Sequence, residues 1–157
     1  GMKTEHLDQH QLERLIKDVL AEKLQQMAGA NDVPSRRDPS GVIAVDLPAT
    51  HLNGENRLDT GHPTDHVLTK DVFTLAESPR LGCGLMEMRD TTFKWHLDYD
   101  EIDYIIDGTL TIIVNGCRTT AHTGQCIYIP KNTSIQFSVE GFARFLYVTY
   151  PADWQNS

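Results

Sequence analysis

From Val42 onward the chain is a succession of short β-prone runs cut by turn dipeptides, and this pattern constrains the fold more than any other feature. Runs rich in Val, Ile, Thr, Tyr and Phe cover 42–46, 66–75, 83–89, 92–97, 101–106, 109–114, 117–122, 126–129, 133–139 and 142–149. Between the later runs stand Asp107-Gly108, Asn115-Gly116, Thr123-Gly124, Pro130-Lys131-Asn132 and Glu140-Gly141. Asn115-Gly116 is the strongest hairpin signal. A two-residue type I′ turn needs positive φ at both central positions, and Asn and Gly reach it most readily. No helical period separates the strands. A parallel βαβ arrangement is thereby excluded, and an antiparallel sandwich or barrel follows.

The first part of the chain obeys a different period. Leu12, Leu15, Ile16, Val19, Leu20, Leu24 and Met27 fall on one face of a helix over 8–27, with Asp8 as N-cap and Gln11 completing a capping box. Residues 28–41 are rich in Pro, Gly, Ser, Asn and Asp and show no period, which reads as a flexible tether. An apolar helical stripe has to be buried somewhere, and a tether lets another molecule supply the cover.

At 157 residues the chain is expected to carry one folded body, here 42–157. Fourteen Lys and Arg against 22 Asp and Glu leave a net charge of −8. Without a basic patch to displace counterions, nucleic acid is not an expected partner. No apolar run approaches the ~18 residues that a membrane span needs. Cys83, Cys117 and Cys126 match no CxxC spacing and read as reduced thiols.

Two half-motifs then come in order. Glu101-Ile-Asp-Tyr-Ile-Ile-Asp-Gly108 has the E-x6-G form of the first cupin motif. Gly124-Gln-Cys-Ile-Tyr-Ile-Pro130 has the G-x5-P form of the second, after a gap of fifteen residues. The stretch Trp95-His-Leu-Asp-Tyr-Asp-Glu-Ile-Asp103, then Ile129–Ile135, Phe145–Val148 and Pro151–Gln155, closely resembles the EutQ family of ethanolamine-utilisation proteins. The resemblance implies an all-β, single-domain cupin, a conical antiparallel barrel or jelly roll, with the amphipathic helix tethered in front. It further implies a bacterial cytoplasmic protein of the ethanolamine microcompartment and an acetate kinase activity using ATP and acetate. The alternative is a non-catalytic cupin binding or assembly module. A homodimer is expected, with 42–46 as a candidate pairing edge, and the helix is expected to dock on a shell protein.

Metal-binding cupins gather a His-x-His pair, the motif Glu and a second-motif His. In one register of strand 92–97, Trp95 and Leu97 take the two His positions. In the other, Lys94 and His96 do. The second-motif position falls on Ile135. Neither register reaches three ligands, so no tightly bound transition metal is expected. His62 and His66 lie in a Pro/Gly loop, where metal binding is not expected. Glu101 and Asp103 are two apart and share a face of one strand. If that face is interior, they are the candidate catalytic pair and the candidate ligands for Mg²⁺, which takes hard oxygen donors. The open alternative is a salt bridge to Lys94, Arg89 or Arg144. Trp95, Tyr99, Tyr104, Tyr128, Gln136 and Lys94 are the candidate substrate contacts.

Overall fold

The computed structural model describes residues 9–20 and 33–153. Helix α1 covers 9–20, inside the expected 8–27; residues 21–27 lie outside the described residues. Its stripe of Leu12, Leu15, Ile16, Val19 and Leu20 is exposed. Among the described residues no helix is long and apolar enough to cross a membrane.

The β-structure runs β1 (Ser35–Arg37), β2 (Ile43–Val45), β3 (His66–Asp71), β4 (Gly82–Leu97), β5 (Asp100–Val114), β6 (Cys117–His122), β7 (Cys126–Ile129) and β8 (Thr133–Tyr150). The main sheet is ordered β3-β4-β8-β5-β6, with β7 also on β5. All pairings are antiparallel. This is the expected all-β cupin jelly roll.

Three pairs of expected strands are single long strands. Asp107-Gly108 and Glu140-Gly141 are bulges rather than turns. The β4–β8 register shifts between Arg89 and Thr91, so Asp90 alone opposes Glu140-Gly141. Gly141 takes a φ of 80°, and its N–H donates to Asp90 Oδ1 at 2.7 Å. The β5–β8 register shifts beside Gly108, where φ is 84° and a Cβ would collide with the Phe142 carbonyl. An added residue bends a strand without ending it, and these bends let long strands wrap a barrel. Asn115-Gly116, with φ of 50° and 80°, does form the expected hairpin.

The barrel core stacks Phe93 on Phe137 (centroids 5.3 Å apart) and Phe137 on Phe145 (6.3 Å), with Trp95 edge-on to Phe93. A second, smaller core of Val33, Val72 and Leu85 lies on the other face of the sheet. It corrects the reading of 28–41 as a tether. From Val33 the chain is packed, β1 pairs with β2, and Asp46 N–H donates to the Pro34 carbonyl at 2.8 Å. The part of the tether over 28–32 lies outside the described residues. Polar turn residues dominate the composition of 33–41, and they hid the one buried valine that anchors it. The expected edge strand at 42–46 accordingly has β1 as its partner.

Candidate functional site

Cross-strand pairing sets two neighbouring rows on the interior face. One row is Asp71, Gly84, Tyr147, Asp103 and Ile127; the next is Gly82, Thr149, Glu101 and Ile129. Glu101 is 5% exposed, while Asp103 and Thr149 are sealed. The two carboxyls therefore lie within the barrel wall rather than in an open mouth.

The two glycines explain the local shape. A Cβ on Gly84 would strike the Tyr147 ring and hydroxyl, and one on Gly82 would strike Thr149 Oγ1. Without those atoms, the Tyr147 ring lies across Gly84 and its hydroxyl donates to Asp71 Oδ1 at 2.7 Å. Tyr99 accepts a 2.7 Å hydrogen bond from Trp95 Nε1. Glu101 Oε2, both Asp103 carboxyl oxygens and Thr149 Oγ1 are buried without an N–H or O–H partner among the described residues.

Buried oxygens of this kind require a proton or a cation, because an unpaired charge in a low-dielectric site is costly. Burial pushes the Glu101 carboxyl up to about 7. Burial, and then the charge of Glu101, holds Asp103 well above the usual carboxylate range. The pair thus retains a proton near neutrality. Burial likewise raises Tyr99 and Tyr147, which remain neutral hydroxyls. The donor set of two carboxyls and a hydroxyl fits Mg²⁺, which is commonly held by one or two carboxylates and keeps waters of its own. Among the described residues no three His, Cys, Asp or Glu gather as a metal cluster.

The apolar register of 92–97 is the observed one: Phe93 and Leu97 are buried, and Trp95 packs on the core. Ile135 pairs with Trp95 across β4–β8. Trp95, Tyr99, Glu101 and Asp103 thus point inward together. Four other candidate contacts need correction. Lys94 pairs with Gln136 on the opposite face, and Tyr104 and Tyr128 are 46% and 62% exposed there. Strand alternation separates them from the carboxyls by the thickness of the sheet. The salt-bridge alternative also fails. Arg144 binds Glu87 at 2.6 Å, Arg89 stacks on Phe142, and Lys94 faces outward. His96 is exposed, between Ser134 and Asp98. Thr149, Tyr147 and Asp71 were missed, because only the long-range register brings β3 and β8 to the motif strand.

The family model described as "Ethanolamine utilisation protein EutQ" matches residues 7–156. A protein of Clostridioides difficile (strain 630) named "Acetate kinase EutQ" is 51% identical over 153 residues, covering 98% of each chain. The solved structure of the Clostridium difficile EutQ protein superposes with a TM-score of 0.79 at 57% identity, covering 80% of this chain and 92% of that one. The Schizosaccharomyces pombe Cnp3 cupin domain, at 15% identity and a TM-score of 0.54, covers 73% of this chain and 75% of its own and shares the fold.

Proposed function

The chain belongs to the EutQ family of ethanolamine utilisation proteins, and on that premise we propose that it transfers the γ-phosphoryl group of ATP to acetate. An acetate oxygen forms the new bond to phosphorus, the bond to ADP breaks, and acetyl phosphate and ADP leave. The observation that carries this reading is the near full-length match to a relative named as an acetate kinase. Glu101 and Asp103 are assigned to cation holding, with Thr149 as a third oxygen donor. Both substrates are anions, and ionised carboxyls cannot meet them directly. Lys94 faces away, so a divalent cation is left to mediate. When bound, Mg²⁺ supplies charge neutralisation for the transferring group. The chain's own part is to position donors and exclude water.

A specific observation favours a second reading. Asp103 is fully enclosed and Glu101 nearly so. Substrates reach the pair only if the barrel wall opens, whereas a binding or assembly module needs no such opening. On that reading the exposed stripe of α1 docks in an apolar groove of a microcompartment shell protein, and the barrel pairs with a second copy. Incubation of the full chain with ATP, acetate and Mg²⁺, trapping acetyl phosphate as its hydroxamate, separates the two. The kinase reading expects acetyl phosphate in step with ADP. ADP-free incubations with no hydroxamate leave the assembly module.

A further inference from the structure

The outside of the β3–β4 edge offers a chemistry different from that of the interior carboxyls. A cavity of about 380 Å³ there is lined by Gly54, Arg57, Asp65, His66, Glu87 and Arg89, among others. One wall is rigid. Asn53 caps the turn at Gly54–Asn56, accepting from Glu55 N–H while its own N–H donates to Asn56 Oδ1. Arg57 then pairs with Leu68, and Leu58 N–H donates to the Val67 carbonyl at 3.0 Å. The opposite wall is the β3–β4 ladder, where His66 pairs with Arg89 and Leu68 with Glu87. Val67 and Met88 point into the core, so these residues face out by alternation.

The cations in this cleft are held but not neutralised. Arg57 Nη2 donates to the Asp65 carbonyl at 3.1 Å, and Arg89 lies 5.1 Å over the Phe142 ring. Neither makes an ion pair among the described residues. Glu87 is already committed to Arg144. Asp65 receives the Thr60 hydroxyl. With Glu87 paired to Arg144, Arg57 and Arg89 face one carboxylate without a cationic partner among the described residues, Asp65, on a chain whose net charge is −8. A second cavity continues from Arg57 past His62.

We propose that this cleft binds a phosphate-bearing small molecule through Arg57 and Arg89. Each guanidinium offers a planar fork of donors, and a phosphate group has enough oxygens to engage two forks where a single carboxylate has only two. The shared chemistry is the phosphate itself, free or carried on a nucleotide or an acyl group. The site is separate from the interior carboxyls and stands whether or not they take part in catalysis.

The test is titration of the isotopically labelled full chain with inorganic phosphate, ATP and acetyl phosphate in separate arms, with adenosine as the uncharged control. Amide shifts read both affinity and place. Expected are saturable shifts at 54–57, 65–68 and 87–89, absent with adenosine. Equal affinity across the arms identifies free phosphate as sufficient, and preference for one arm identifies its carrier. Arg89→Ala and Arg57→Ala, both exposed and expected to fold, should each weaken binding about tenfold by removing a charge-assisted pair. Arg89→Lys should retain part of it. Absence of saturable shifts in every arm overturns the proposal. So does unchanged affinity in the Arg57→Ala/Arg89→Ala double variant. Neither result bears on whether acetyl phosphate is formed.

Discussion

Tyr147 stands directly opposite Asp103 in the β5–β8 ladder, yet gives its hydroxyl to Asp71 on the far side of Gly84. One tyrosine thus ties β8 to β3 and leaves Asp103 only the proton it shares with Glu101. The chemistry of the interior follows from that choice. Two adjacent carboxyls, enclosed and without a cationic side-chain partner among the described residues, hold either a proton or a cation.

The first consequence is a stability that falls as pH rises. Glu101 has its folded-state value raised to about 7 from an ordinary 4.5, so the folded chain holds its proton longer than the unfolded chain. Stability is then greatest below the unfolded value and is lost as pH rises from about 4.5 through about 7, by on the order of 3 kcal/mol from this group. Glu101→Gln cannot ionise and should remove the share of Glu101, leaving the share of Asp103, which burial raises in the same direction. Urea unfolding at pH 5 and pH 7.5, compared between the two proteins without divalent cations, measures it. Parallel pH profiles would refute the assignment.

A cation should reverse the same loss. Above pH 7, Mg²⁺ is expected to raise the Tm of the unaltered chain by binding the folded state alone. Chelator should abolish the rise, and Asp103→Asn should not show it. Differential scanning fluorimetry at several Mg²⁺ concentrations reads the effect.

Gly84→Ala should destabilise the chain by about 1–3 kcal/mol, because the new methyl group displaces the Tyr147 ring within a packed wall. Gly54→Ala is the matched comparison, since nothing lies near its Cβ position and its φ is not positive. Thermal unfolding of the two variants should differ clearly. Equal Tm values would show that the ring moves aside without cost.

How much of this was legible in the sequence depends on range. The hairpin at Asn115-Gly116 and the stripe of α1 from Leu12 to Leu20 are local, and both appear where they were expected; Leu24 and Met27 lie outside the described residues. The glycine signals at 108 and 141 are equally local but ambiguous. A positive φ serves a bulge as well as a turn, and only the partner strand decides. That Glu101 and Asp103 share a face was legible from their spacing of two, but that this face is interior was decided only by the pairing of β5 with β7 and β8. Tyr104 and Tyr128 were misplaced because aromatic character says nothing of which face a residue takes. Thr149 and Asp71 carry no motif at all. They join the site through pairings of β8 and β3 with strands far away in sequence.

Arg144 offers a test of the packed N-terminal segment. Its guanidinium binds Glu87 at 2.6 Å and the carbonyls of Leu47 and Thr50 at 2.8 and 2.9 Å. Arg144→Ala leaves these acceptors unmet and should cost about 2 kcal/mol, with faster hydrogen exchange at 46–52. Arg144→Lys should not restore it, because an ammonium cannot span three acceptors in that plane. Unchanged exchange at 46–52 would show that the second core alone holds the segment.

The most direct measurement is the rate of Mg²⁺-dependent acetyl phosphate formation in Glu101→Gln against the unaltered chain, at pH 7.5, with circular dichroism confirming the fold. The substitution keeps the volume and removes the charge. The account predicts a folded protein whose turnover is abolished. Full turnover in folded Glu101→Gln would contradict it and make the carboxyl pair a structural feature of the barrel wall.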